Sequence, residues 1–494
     1  MKPFNKIVLL SSCVILLSSC SDFLDLKPKT ELSVEDYYKT AEQFDGAVNG
    51  VYSTLQEGNL YGSWYIFSEI PSDNTRNQLS GSVTDQDEFD KYYIRTTNPS
   101  LANLWNKSYE AINRANTVIG RIDQIEMDNT LRDRYKLECK FIRGLMYFNL
   151  VRVFGDVPLV TKEISISEAY TYKRESKENV YNQIIADLSE AEALPESYSK
   201  DSDIGRATKG AAKALLGDVY MTLKKYTEAE NKLAEVINSA TYSLLENEAG
   251  SLNNAGYAKV FSAENHNHKE SVFDVQFKKG GYSEGSNFPN NFAPENSGTN
   301  VVSVGGTSGN NVPEMDIYNA YEEGDLRRDF SVALGYNDNR KDGAWVDSRY
   351  VKKYFDTPYK DGDANNNFPV IRYAGVLLMY AEALNQNGKT ALACDYLNQV
   401  RRRGFGYQTN EVSPVDIKTT SKDEFFLKVE HERRVELAFE GHRWFDLIRT
   451  GRAVEVMTSK GFKLNESNLI CPIPQKQIDV NPELTQNDYQ IIDK

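Results

Sequence analysis

The chain has 494 residues with 57 basic and 71 acidic side chains, a formal charge of −14, and 40% of its residues are hydrophobic. That balance belongs to a globular chain rather than a disordered one, and the length allows roughly three domains of about 150 residues or one large repeat array. An acidic chain without a long basic run is a poor match to phosphate backbones, which argues against nucleic acid as a partner.

Residues 1–20 read MKPFNKIVLLSSCVILLSSC, with Lys2 and Lys6 ahead of an apolar run from Ile7 to Leu17. This predicts a secretory signal peptide over 1–19, too short to span a membrane. Leu17-Ser18-Ser19-Cys20 resembles a bacterial lipobox, so Cys20 is the expected lipidation site. The same pattern at Leu10-Ser11-Ser12-Cys13 leaves only Ile7–Leu10 as an apolar segment, which is too little. Cys139, Cys394 and Cys471 are too few for a disulfide framework and have no metal-ligand spacing. Cys139 and Cys394 fall in helical patterns and read as buried thiols.

Residues 56–100 are irregular, with Tyr61, Trp64, Tyr65 and Phe67 clustered before Pro71-Ser72-Asp73-Asn74. Helical periodicity follows over 103–125 and 131–154, the second stopping at Gly155-Asp156-Val157-Pro158, and again over 176–194 with Ser176 as N-cap. Leu216, Gly217, Tyr220, Ala229, Leu233 and Val236 then take the large and small positions of a tetratricopeptide repeat, and Tyr380, Ala381, Leu384, Ala393, Leu397 and Val400 repeat the spacing. The segment 280–312 holds seven Gly, seven Asn and five Ser and no Lys or Arg, the composition of a long loop. A third irregular region, 336–369, carries Trp345, Tyr350, Tyr354 and Tyr359. The expected fold class is mostly α: tetratricopeptide-like helix pairs forming a scaffold, with long irregular loop insertions. An irregular helical domain is the alternative.

The stretch 429–449, VEHERRVELAFEGHRWFDLIR, sets Glu432, Arg433, Glu436, Leu437, Phe439, Glu440, Gly441, Arg443, Trp444, Asp446, Leu447 and Arg449 in one block. Together with Pro472-Ile473-Pro474, Ile478, Asn481-Pro482, Leu484 and Gln486-Asn487 near the C-terminus, FNLVRVFGDVPL at 148–159 and SDFLDLKPKT after Cys20, it closely resembles the SusD/RagB family. Gln477 and Asp488 depart from that pattern, where the family often has an acid and a proline. The resemblance implies about four tetratricopeptide-like pairs with the ligand site on long loops, in a single SusD-like domain over 20–494, its N-terminal region about 20–240 and its C-terminal region about 265–494. It further implies a non-catalytic lipoprotein on the outer face of a Bacteroidetes-type outer membrane. Such a protein captures oligo- or polysaccharide and delivers it to a SusC-like TonB-dependent transporter; a peptide-binding, RagB-like protein or a structural lid is the alternative. The alternating charges of 429–449 read as Arg–carboxylate pairs that maintain the fold, with transporter contact as the second reading.

No G-x-S-x-G, H-E-x-x-H, P-loop or G-x-G-x-x-G is present. Asp361-x-Asp363-x-Asn365 imitates the start of a calcium loop, but Asn366 stands where Gly is needed and Arg372 where the bidentate Glu belongs. No cofactor is expected, and a more loosely held calcium ion there is the one exception left open. Sugars present apolar C–H faces and rings of hydroxyls, so a receptor needs flat aromatics and planar polar groups. Trp64 and Trp345 are the leading platforms, Tyr61, Tyr65, Tyr282 and Phe288 the second rank, and Asp73, Asn74 and Arg76 the polar contacts. The competing reading tucks these loop aromatics onto the helices, and Trp105 and Trp444 read as core.

Overall fold

The computed structural model describes residues 37–58, 60–78, 84–248 and 250–491; the expected signal peptide over 1–19 and Cys20 lie outside them. Ten principal helices carry the fold: α1 (Ala41–Ser53), α2 (Pro99–Arg121), α3 (Asn129–Phe154), α4 (Lys177–Ala191), α5 (Lys209–Thr222), α6 (Tyr226–Asn238), α7 (Tyr373–Gln386), α8 (Thr390–Gly404), α9 (Lys422–Glu436) and α10 (Arg443–Thr450). Short polar side chains start many of them. Thr40 closes a capping box on α1, and Asn98, Asp128, Ser176, Thr208 and Ser421 each accept a backbone N–H of the first turn. The helix expected from 103 begins earlier, because Asn98-Pro99 supplies a cap and a proline suited to the first turn. It gives way to a 3₁₀ turn at Ile122–Gln124.

The helices pack serially: α1 on α2, α2 on α3, α3 on α4, α4 on α5, α5 on α6, α6 on α7, and α7 on both α8 and α9. Each element covers mainly its neighbours, which is how a helical repeat array buries its faces. The two repeat-like spacings fall on α5–α6 and α7–α8. A Cβ at Gly217 would meet Leu233 Cδ2 at 2.6 Å, so the α5–α6 crossing has room only for glycine. Cys139 and Cys394 are buried free thiols, as expected.

Among the described residues, eight short strands form four antiparallel pairs: β1 (Thr75–Arg76) with β5 (Val312–Pro313), β2 (Val157–Pro158) with β3 (Arg174–Glu175), β4 (Ser271–Val275) with β8 (Phe368–Arg372), and β6 (Val332–Asp338) with β7 (Ala344–Val351). The β6–β7 hairpin pairs Tyr336 with Val346 and Asn337 with Trp345, so the region read as irregular from 336 contains a regular ribbon.

Beneath the loops lies a layer of buried ion pairs. Arg327 meets Glu432 at 2.6 Å and Glu436 at 2.9 Å. Arg403 meets Glu436 at 2.6 Å and Glu270 at 2.9 Å, and Arg372 meets Glu270 at 2.6 Å. Lys353 reaches Glu440 at 2.7 Å. Burial alone would raise the Glu436 carboxyl, but Arg403, Arg372 and Arg327 hold it well below the usual carboxylate range. The 429–449 stretch is therefore built into the interior. Arg433 clasps Asp446 through two 2.9 Å bonds, and Arg449 clasps Glu382 at 2.6 and 2.8 Å. These bidentate pairs fix the angle between α9, α10 and α7.

Candidate ligand-binding site

The three irregular regions converge. Asn291 donates from its amide to the Tyr65 hydroxyl at 3.1 Å, and β1 pairs with β5, joining the first region to the second. The Asn290 amide holds the carbonyls of Val304 and Gly306, both at 2.8 Å, while its oxygen accepts the Gly362 N–H, joining the second to the third. Asn300 reaches Asp338 at the hairpin end at 2.9 Å. The loops thus form one assembly seated on the helical scaffold.

Within it, most of the aromatics expected as platforms are interior. Trp64 is 3% exposed and stacks on Phe445 with centroids 5.6 Å apart, and Gly441, at φ +85°, runs so close that a Cβ would lie 2.5 Å from its ring. Tyr61 is buried with its hydroxyl accepting from Asn149 at 2.9 Å. Tyr65 is buried edge-on to Phe292, and burial pushes its hydroxyl up to about 12. Phe288 stacks on Phe292 and touches Tyr354 and Phe368. These four rings weld loops to scaffold and offer no face to a ligand. Of the expected polar contacts, two are engaged inside the protein and one is half-exposed. Asp73 is buried and clasped by Arg443 at 2.7 and 3.0 Å, with Arg434 at 3.1 Å. Asn74 is fully buried between Glu69 and Arg434. Arg76 is half-exposed and faces Glu314 at 3.5 Å.

Trp345 and Tyr282 are exposed, at 59% and 76%. Trp345 lies over the β6 backbone, where a Cβ at Gly335 would come 2.6 Å from its six-membered ring, so glycine lets the indole rest on the ribbon with its outer surface open. Tyr282 stands at a tip closed by the Lys278 N–H donating to the Glu284 carbonyl at 2.8 Å. Beside it is Tyr359, which is exposed and whose ring lies 3.3 Å from a Cβ built on Gly281. Tyr359 lies in the third irregular region of the sequence, where nothing marks it as a platform. Its neighbour Phe355 is also exposed. Aromatics next to Gly in the first segment and among Pro, Asp and Gly in the second were the signal available.

Asp363 organises this corner. Its buried carboxylate accepts the N–H groups of Gly280 and Gly281 at 3.3 and 2.7 Å, and its carbonyl accepts the Tyr359 N–H at 2.8 Å. Asn365 accepts the Lys279 N–H and donates to the Ala263 carbonyl. Asp361 abuts Gly305. The calcium-like triplet therefore points its groups at different backbone partners, and among the described residues no group of three His, Cys, Asp or Glu side chains could hold a metal.

The Lys278–Glu284 tip rims a cleft of about 750 Å³ between the end of α1 and β4. Its walls include Tyr52, Asn49, Gln56, Gln276 and Asn365. Gln56 donates to the Gln276 carbonyl at 2.8 Å, and Asn367 and Asn267 orient the Gln276 amide at 3.0 and 2.9 Å. The Tyr52 ring and the carboxamides in the walls are groups that cover sugar faces and satisfy hydroxyls, with Lys278 and Glu284 at the edge, and the volume is that of a small-ligand site.

A helical repeat scaffold whose loops carry exposed rings, with a carboxamide-bearing cleft bordered by the same loops, defines a binding protein. A family model described as the SusD family matches residues 322–489, and one described as starch-binding, associating with outer membrane, matches 22–221. SusD-like protein P25 of Formosa agariphila is 26% identical over 99% of both chains. A laminarin binding SusD-like protein is 27% identical, with a TM-score of 0.77 over 92% of this chain and all of that one. A SusD homolog from Bacteroides thetaiotaomicron is 25% identical with a TM-score of 0.79, covering 93% of this chain and 99% of that one. The chain belongs to the SusD/RagB family, which places it among binding proteins rather than enzymes.

Proposed function

We propose that the chain is a carbohydrate-binding protein of the outer membrane surface that captures an uncharged oligo- or polysaccharide on the loop assembly. The exposed rings of Tyr282 and Tyr359 on the loop assembly, together with the carboxamide-bearing 750 Å³ cleft that Lys278 and Glu284 border, carry this reading, with Trp345 as a separate exposed platform. The laminarin-binding relative supports a glycan over a peptide ligand. Cys20 would anchor the chain by lipid, residues 20–494 forming one SusD-like domain, and a SusC-like TonB-dependent transporter would receive the ligand. The described residues contain no helix long and apolar enough to cross a membrane, so this arrangement assigns attachment to the lipid. Titration of the full chain with laminarin, other neutral glycans and mixed peptides tests the reading. Saturable heat from a glycan is expected, and heat from peptides alone would move the chain to the peptide-binding alternative.

A further inference from the structure

A second cleft, of about 280 Å³, lies away from the loop assembly, between α2 and two single-turn helices at 166–169 and 475–480. None of its lining belongs to 280–312 or 336–369. In a chain where 26% of residues are charged, no Asp, Glu, Lys, Arg or His lines it among the described residues. Four rings and four carboxamides line it, together with Ser165 and aliphatic side chains that include the exposed Ile166 and Val480. Trp105 and Tyr109 form the floor, where the Tyr109 hydroxyl is turned inward onto the Pro158 carbonyl at 2.7 Å. Tyr170 and Tyr172 form one wall, and Tyr170 is 45% exposed. Gln477 donates to Asn106 Oδ1 at 2.9 Å, which leaves the Asn106 N–H groups and the Gln477 oxygen for other partners. Asn113 is exposed on the same opening.

We infer that this cleft is a second carbohydrate subsite that takes one end of an uncharged oligosaccharide. A charged ligand would lose its hydration here with no counter-charge, and a purely apolar segment would cover the remaining polar groups of Asn106, Asn113 and Gln477 without bonding them. A neutral sugar offers C–H faces to the rings and hydroxyls to the amides, and the volume suits roughly one to two pyranose rings. Two subsites on one chain hold a polymer by linking two modest contacts, since the second binding event becomes intramolecular. The inference rests on the glycan reading of the loop assembly, and the two are separable by experiment.

The full chain is titrated with hexasaccharides of β-1,3-glucan, α-1,4-glucan and xylan, as wild type, as Tyr170→Ala, as Asn113→Ala and as the double variant Tyr282→Ala/Tyr359→Ala. The expected result is two equivalents of one hexasaccharide per wild-type chain. Tyr170→Ala then loses one equivalent, Asn113→Ala weakens that same one several-fold, and the double variant loses the other. One equivalent in the wild type, or an unchanged titration for Tyr170→Ala, overturns the second subsite and leaves the loop reading standing. Two equivalents in the double variant sink the loop assignment while the cleft survives. Silence from all three sugars removes both. Sugar-free protection of the 164–172 amides from hydrogen exchange, abolished by deleting residues 21–36, would assign the cleft to the chain's own N-terminal segment and overturn the proposal.

Discussion

At the scale of single residues, burial decides what a loop aromatic does. Trp64 and Tyr282 are both aromatic residues in segments that read as irregular, yet one is 3% exposed and the other 76%. Trp64→Ala removes a ring stacked on Phe445 and is expected to destabilise the fold by about 3–5 kcal/mol in denaturant melts. Tyr282→Ala leaves the midpoint unchanged and weakens glycan binding about tenfold, on the order of 1 kcal/mol. The sequence displayed ring types at both positions but no exposure, because Phe445 and Gly441, which enclose Trp64, lie far along the chain. Glu69 offers a pH test. It is fully buried, and burial lifts its carboxyl to about 7 although the Gly441 N–H and the Asn74 amide both donate to it. A carboxyl with a raised folded pKa favours the folded state below the unfolded pKa and loses that contribution as pH rises through the folded value. Relative to Glu69→Gln, wild-type stability is thus expected to fall between about pH 4.5 and 7, by on the order of 2–3 kcal/mol, and parallel pH–stability curves would refute the assignment.

Among elements, the helix pairs were legible because their information is local. Small residues at Gly217 and Ala381 and large ones at Leu233 and Leu397 recur at one spacing, and each works against the next helix. The β6–β7 ribbon was not legible. β7 is exposed or half-exposed at every residue but its last and β6 has buried residues on both faces, so neither strand shows a two-residue alternation, and the register follows from the turn and from Trp345 over Gly335. Nor was the role of Asp363, whose partners Gly280 and Gly281 lie more than eighty residues earlier. Asp363→Ala is expected to free the 280–284 tip and the Tyr359 strand of loop. The measurement is hydrogen exchange, which should accelerate across 278–284 while α5–α8 keep their protection, together with several-fold weaker glycan binding. Uniform acceleration over the scaffold would show instead that Asp363 is a global stability residue.

Across the whole molecule, the buried ion pairs join the two halves of the chain. Arg443 from α10 clasps Asp73 in the first loop region, and Glu436 is shared by Arg327, Arg372 and Arg403. The alternating charges of 429–449 signalled such pairing, but the partners Arg327, Arg372, Arg403 and Lys353 could be assigned only once the chain was folded. Replacing one member leaves uncompensated buried charge, so Glu436→Gln is expected to cost about 3–5 kcal/mol in equilibrium unfolding, against less than about 0.5 kcal/mol for a surface carboxylate such as Glu228. The scaffold thereby holds in place the loops on which the proposed glycan site is built. The measurement that tests this account most directly is hydrogen exchange of the full chain with and without saturating laminarin. The account predicts new protection over 278–284 and 355–365. Protection confined to residues outside the loop assembly and the second cleft, or no change at saturation, would contradict it.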